Sequence, residues 1–568
     1  MIRRVVTVGV APAVVFAALL AAALEAAGGV GETAHNLSVS GPGEVRAGSE
    51  ERICIFCHAP HRATTRAPLW NRRDSRASYL IYESTTLDAA SGQPTGASRM
   101  CLSCHDGTVA LGDVVSEPRE IEFPPEHRFL DRETGSLETD LADDHPISFV
   151  YDHGLVAQDP ELEDPLALPL PVRLDAEGQM QCTSCHDPHD DSLGGFLLVE
   201  LTGGALCTSC HRLSGWQESS HARSLAVWDG TPPDPWPGSD DATVAGNACR
   251  SCHAPHTAAH PRWNLRRVPE EQVCLDCHNA HVARSDLEAE FEKPYRHPLE
   301  LSDGVHEPTE DPLTAPRHVE CVDCHDPHRA RGETGDPSVP STLGGARGID
   351  LEGQPVESVR FQYEVCFPCH GDGTDADQEI PRSAGEINTR LELAPDAISF
   401  HPVAQSVRDG DDPTLLAPYT PASQISCTDC HASDAADSGG PRGPHGSRHR
   451  FLLRRSYEVE DPSPESPVAY ALCYGCHSRS VLLDGASSGF RAHRRHVVDA
   501  SASCSVCHDP HGIASSLGDP GGNTHLINFD LRVVEPSLSG ELRFEDRGFR
   551  SGACSLYCHG VNHDPMAY

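Results

Sequence analysis

The 24 cysteines of this chain fall into twelve pairs, and a histidine follows each pair directly. Eleven pairs read C-x-x-C-H: Cys54 and Cys57 before His58, Cys101 and Cys104 before His105, Cys182 and Cys185 before His186, Cys207 and Cys210 before His211, Cys249 and Cys252 before His253, and Cys274 and Cys277 before His278. The series continues with Cys321 and Cys324 before His325, Cys366 and Cys369 before His370, Cys427 and Cys430 before His431, Cys473 and Cys476 before His477, and Cys504 and Cys507 before His508. The twelfth, Cys554, Cys558 and His559, has one extra spacer residue. Two thiols at this separation match the two vinyl groups of a porphyrin, and the next histidine can ligate its iron from one face. Covalent haem c, about twelve per chain, is the expected cofactor.

Other uses of paired cysteines fit less well. Structural zinc also takes C-x-x-C, but nothing in zinc chemistry requires histidine after every second cysteine. A thioredoxin-like redox site needs one such motif. A disulfide scaffold has no reason to fix a histidine beside each pair.

The elements that position these motifs are expected to be short. Hydrophobic residues are 38% of the 568 and aromatic residues 5%, low for a globular chain of this length, with 48 Gly and 46 Pro. Roughly 45 residues are available per motif, so porphyrins supply the apolar core that side chains lack. The expected fold is mostly irregular coil with short helices, an array of repeated haem-wrapping modules. Successive motifs group as six couples. Cys182 to Cys207 and Cys249 to Cys274 share one spacing, and the others are longer, with insertions at 332–357, 371–385 and 432–444. The expected division is a signal segment at 1–27 and dihaem modules at 28–130, 131–215, 216–290, 291–395, 396–490 and 491–568.

Of 34 histidines, 22 lie outside the motifs. His61, His189, His256, His281, His328 and His511 sit three residues after a motif histidine, in strings such as C-H-D-P-H, and His445 reads as the same residue displaced by an insertion. His35, His145, His221, His297, His401 and His496 precede the first motif of each couple. These thirteen are the candidate sixth ligands. His493 competes with His496, His525 and His563 are further candidates in the last couple, and the third couple has one nominee too many among His221, His256 and His281. His127, His153, His260, His306, His318 and His449 read as surface residues. With four methionines in the chain, histidine on both faces is the default ligation, which gives low-spin haems of low potential.

Met1 to Arg4 is basic, Val5 to Leu24 is apolar, and small residues follow. This reads as an export signal cut near Ala23 to Ala27, with a retained anchor as the rival. No later apolar run reaches spanning length. The net charge of −40 favours solubility and repels nucleic acid and anionic membranes.

Taken together, the C-H-D-P-H strings at Cys182–His189, Cys321–His328 and Cys504–His511, the opening His35-Asn-Leu-Ser, Cys101-Leu-Ser-Cys-His-Asp-Gly-Thr and the ending Cys554 to His563 resemble the doubled-CxxCH multihaem c-type cytochromes. The chain is similar in style to the outer-surface cytochromes of metal-reducing bacteria. The resemblance implies that a histidine three residues after a motif ligates a haem other than its own motif's. It also implies a periplasmic or extracellular electron carrier rather than an enzyme. Its partners would be redox proteins or extracellular acceptors, with no nucleic acid. Membrane contact would come only through a retained signal segment, and self-association is open. The alternative is a multihaem reductase of a small nitrogen or sulfur oxo-compound, which needs one iron with an open face.

Overall fold

A computed structural model describes residues 29–62, 69–299, 304–311, 313–316, 318–331, 339–372, 379–406 and 412–568. The expected signal segment and parts of the insertions at 332–357 and 371–385 lie outside these residues. No described helix is long and apolar enough to cross a membrane.

The described chain is mostly coil, as its composition predicts. Contacts divide it into two units, one comprising Met1–Ser214 and Trp236–Val268, the other Gly215–Pro235 and Pro269–Tyr568. The expected module 216–290 therefore contributes residues to both. Apolar packing is confined to small clusters. In the first unit these are Phe149, Tyr151, Leu155 and Met180, a group around Phe56, and a group around Leu102. In the second they are Ile349, Tyr363, Phe367, Leu393 and Val403, and Val506, Phe529, Val534, Phe544 and Leu556.

Most motifs occupy one helical turn, because that turn places residues i, i+3 and i+4 on one face. Two of the longer helices end on a motif histidine: α1 (Gly96–His105) and α3 (Gln362–His370). Between them, α2 (Glu270–Leu275) carries the first cysteine of the sixth motif. Past the end of α1, Gly107 is left-handed at φ +68, and a Cβ there would meet the Leu130 carbonyl oxygen at 2.7 Å. Only glycine suits that termination. At the start of α3, Glu364 reaches back to accept from the Arg360 and Phe361 amides at 2.6 and 3.1 Å, which satisfies donors that the helix leaves open.

After the first motif of a couple the chain turns back and pairs with it. The amides of Asn71, Leu198, Arg266, Arg454 and Asn528 donate to the carbonyls of Cys57, Cys185, Cys252, Cys430 and Cys507. Four of these returns pass through a left-handed residue, Gly195, Trp263, Phe451 or His525, at φ between 57 and 60°. Left-handed backbone is strained for a bulky side chain, and its use here is explained by the site below.

The longest sheet is C-terminal, with β1 (Arg543–Asp546), β2 (Gly552–Cys558) and β3 (Val561–Ala567) antiparallel in the order β1-β2-β3. The twelfth motif thus lies on a strand and not on a helical turn.

Where apolar mass is scarce, buried arginines tie coil to coil. Arg72 is fully buried and donates to the carbonyls of Leu111, Ser103 and Ala110 at 2.7, 3.0 and 2.9 Å. Arg382 likewise joins Ser505 and Asn528. Replacing Arg72 with Met should leave three buried carbonyls without their donor and lower stability by about 3 kcal/mol or more. The check is a chemical-denaturation midpoint followed by circular dichroism, and an unchanged midpoint would show that water or repacking replaces the guanidinium.

Candidate haem-binding sites

Seven motif histidines are held by their Nδ1. The rings of His186, His253, His431 and His508 face the carbonyls of Gly195, Trp263, Phe451 and His525 at 2.8, 2.6, 2.9 and 3.0 Å. Those four acceptors are the left-handed residues of the return loops, so the strained turn aims a carbonyl at the imidazole. His105 and His325 use Gly135 and Thr342 in the same way, at 2.7 and 2.9 Å. A proton committed to Nδ1 leaves the Nε2 lone pair for a metal. Burial holds these rings neutral, with His211, His278 and His431 pulled down to about 4 and His508 to about 3.

The free face of each ring looks at a second histidine. Ten motif histidines lie opposite a non-motif histidine with ring centres 6.0 to 6.5 Å apart: His105 with His35, His58 with His189, His211 with His145, His186 with His256, His278 with His221, His370 with His297, His325 with His445, His477 with His401, His431 with His511 and His508 with His493. With a metal–nitrogen bond of about 2 Å, and about 1 Å more to each ring centre, two imidazoles on opposite faces of one iron have centres about 6 Å apart. The donor set and its spacing fit haem, which such a pair of histidines would hold between its two rings.

The second histidines are also oriented. His35 and His221 direct Nδ1 to the carbonyls of Pro188 and Pro327 at 3.0 and 2.9 Å. His401 does the same with Pro510, and His297 with Pro444. His145 donates its backbone amide to Pro255 at 2.8 Å. Every one of these prolines immediately precedes a histidine downstream of a motif, so the upstream and downstream series are stitched together. His445, preceded by Pro444, takes its place in that stitching despite the insertion after His431. His189 turns its Nδ1 to Asp187, two residues before it, at 3.2 Å, and two second histidines use carboxylates distant in sequence. His256 Nδ1 is 2.9 Å from Asp144 Oδ1, and His511 Nδ1 is 3.4 Å from Glu392 Oε2. Burial opposes their protonation, but these carboxylates outweigh it and raise both rings, His511 to about 9.

The other expected ligands stand in varied surroundings. His61 is exposed, and His281 bonds to Asp229 at 3.0 Å. His328 packs against Trp216, with ring centres 6.1 Å apart. His493 and His496, read as competitors, both face a ring, because His496 lies 6.2 Å from His563.

That last pair contains no motif histidine. Cys554 and Cys558 are four apart on β2 and share one face of the strand, and His563 on β3 stands opposite Leu556 between them. His559 heads the two-residue turn with Gly560, at φ 49 and 75°, and its Nε2 is 2.9 Å from Asp461 Oδ2.

The 24 cysteines are all unbridged. Within each unit, successive motifs meet through them. The thiols of Cys101 and Cys182, Cys207 and Cys249, and Cys366 and Cys427 are in hydrogen-bonding contact. Burial pushes Cys57, Cys185 and Cys324 up to about 12, with the thiols of the next motif (Cys104; Cys210 and Cys207; Cys369) adding to the rise. Burial raises Cys430 to about 12 as well, with Asp429 and then Cys476 and Cys473 contributing. Cys504 lies beside Cys473, and Cys507 beside Cys554 and Cys558.

Comparison with known proteins agrees with this geometry. The family described as outer membrane cytochrome MtrC/MtrF-like, domains II/IV, matches residues 314–517. The doubled CXXCH motif family matches residues 176–213 and 242–283. No curated protein matches the chain. By its paired motifs and these matches, the chain is similar to the doubled-CxxCH multihaem c-type cytochromes and, over residues 314–517, to outer membrane cytochromes of the MtrC/MtrF kind.

Proposed function

We propose that this chain is a dodecahaem electron conduit in which each iron is clamped between two histidines and motif order is the order of transfer within each unit. The observation that carries this reading is the recurrent ring separation of 6.0 to 6.5 Å. Bound haem supplies one-electron chemistry, and the protein supplies spacing, ligation and potential. The two histidines of a clamp exclude a substrate from both faces, which argues against the reductase alternative. Adjacent cysteine pairs of successive motifs support short steps between neighbouring centres. The family resemblance supports an exported protein, periplasmic or at the outer surface, that exchanges electrons with redox proteins or extracellular acceptors. Intact mass after denaturation should exceed that of the polypeptide by twelve haems. Carbon monoxide should bind less than one site per chain at neutral pH. Stoichiometric binding together with enzymatic reduction of nitrite or hydroxylamine would overturn the conduit.

The twelfth centre takes its ligands in this reading from His496 and His563, neither of which belongs to the attachment motif. His559 serves as the ion-pair partner of Asp461. His563→Ala should therefore create one high-spin haem by electron paramagnetic resonance, whereas His559→Ala should leave the low-spin count unchanged. Haem mass is measured on both variants. The reverse result, a high-spin haem in His559→Ala alone, assigns the iron to His559.

A carboxylate on the outer nitrogen makes an imidazole a stronger donor and favours ferric iron. Asp144→Asn should raise the potential of the centre between His186 and His256 alone, read as a positive shift of one step in a redox titration. A titration curve superimposable on the parent's would show that Asp144 does not act through His256.

A further inference from the structure

His306 and His318, read from sequence as surface residues, sit in a half-buried cluster beside the seventh motif. His306 Nδ1 lies 2.8 Å from Glu320 Oε2 and 3.5 Å from Asp323 Oδ1. His318 Nε2 lies 3.2 Å from Glu310 Oε1 and 3.8 Å from Glu320 Oε2. One donor atom from each of His306, Glu310, His318 and Asp323 falls within 4.8 Å of all the others. Glu320 and Asp323 flank and enter the seventh pair, Cys321 and Cys324. From the other side, Glu270 and Glu271 open α2, which carries Cys274.

Three features distinguish this cluster from a solvated acidic patch. First, His318 Nδ1 is committed to the Pro316 carbonyl at 2.7 Å, so the Nε2 of a neutral ring turns a lone pair toward the Glu310 and Glu320 oxygens. Either a second proton on the ring or a bound cation joins them there. Second, Glu271 is 4% exposed, and neither of its carboxylate oxygens has a hydrogen-bond partner. Its carboxyl is raised by burial first and then by Glu320 and Asp323, with His318 acting in the opposite direction, which places it against the cluster. A buried carboxylate with no donor is costly. Third, five carboxylates face two imidazoles, so protonating both rings still leaves an excess of buried negative charge.

We infer that this cluster binds one divalent first-row transition-metal cation of the Zn²⁺ or Mn²⁺ kind, held by His306 and His318 with Glu310, Asp323 and Glu320. Donors bonded at about 2.1 Å to one such ion lie about 3 to 3.5 Å apart, which the distances above match. Two imidazole nitrogens among carboxylates select a borderline cation over Ca²⁺ or Mg²⁺, which prefer oxygen alone, and over Cu(I), which prefers sulfur. Glu271 then faces the ion or a water bound to it. The ion fastens the helix of the sixth motif to that of the seventh. It also sets a double positive charge beside Asp323, between the two cysteines of the seventh pair.

The test uses the intact haem-loaded protein, stripped with a chelator and titrated with Zn²⁺ in excess Mg²⁺, which masks loose binding to a chain of net charge −40. Calorimetry with metal analysis should find one tight site per chain. Glu310→Gln and His318→Ala should each weaken it at least tenfold while haem mass and the visible spectrum stay unchanged. Zn²⁺ should also raise the potential of one redox step in the parent and in neither variant. Absence of a tight site in the parent, or undiminished binding in a variant that keeps its haems, overturns the inference.

Discussion

Two imidazoles must stand with their ring centres about 6 Å apart, their nitrogens facing each other across one metal and its two bonds. Most of the described backbone is arranged to meet that condition. A ring can be a ligand only if its other nitrogen keeps the proton, so each Nδ1 needs a fixed acceptor. The protein provides carbonyls from return loops for motif histidines and proline carbonyls for several of their partners. Left-handed Trp263, Phe451 and His525 are the visible strain of that arrangement. Regular helices and sheets would occupy their carbonyls internally, which is one reason for the prevalence of coil.

The partners come from far along the chain. His35 and Pro188, which orients it, are 153 residues apart, and His221 and Pro327 are 106 apart. Histidines after the third, fifth, ninth and eleventh motifs face the first, third, seventh and ninth. In these four cases one couple supplies the histidine that faces a ring of the couple before it. Cooperativity in this molecule runs through ligands and stitched loops instead of a continuous apolar core, whose clusters here hold only a few side chains each. Buried Arg72 and Arg382 take over part of that task by gathering carbonyls from separate strands of coil.

The same long reach concentrates charge. Carboxylates are needed behind His256 and His511, at the ion pair of Asp461 with His559, and around His306 and His318. In a chain with 84 acidic residues and 44 Lys and Arg, such groups cannot all find a cationic side chain. Histidines, backbone amides and, in our reading, a metal ion fill the deficit.

The sequence by itself determined the chemistry: paired thiols with an adjacent imidazole, the coil-rich fold that a scarcity of apolar residues imposes, and most of the second histidines. These are local properties, because i, i+3 and i+4 spacing fixes one face of a helical turn without reference to the rest of the chain. Which histidine meets which was not local. His493 and His496 looked like rivals, yet each has its own partner. His445 looked displaced, yet Pro444 before it accepts from His297 as the corresponding prolines do for their upstream histidines, while His281 turned to Asp229. The twelfth motif shows the boundary most clearly. Its extra spacer shifts the second cysteine from i+3 to i+4, which a strand tolerates by its period of two but which sends the following histidine off the shared face. The change in spacing was legible; that β3 would set His563 opposite Leu556, between the two cysteines, and that folding would enclose His306 and His318 with five carboxylates, depended on tertiary proximity that no spacing encodes.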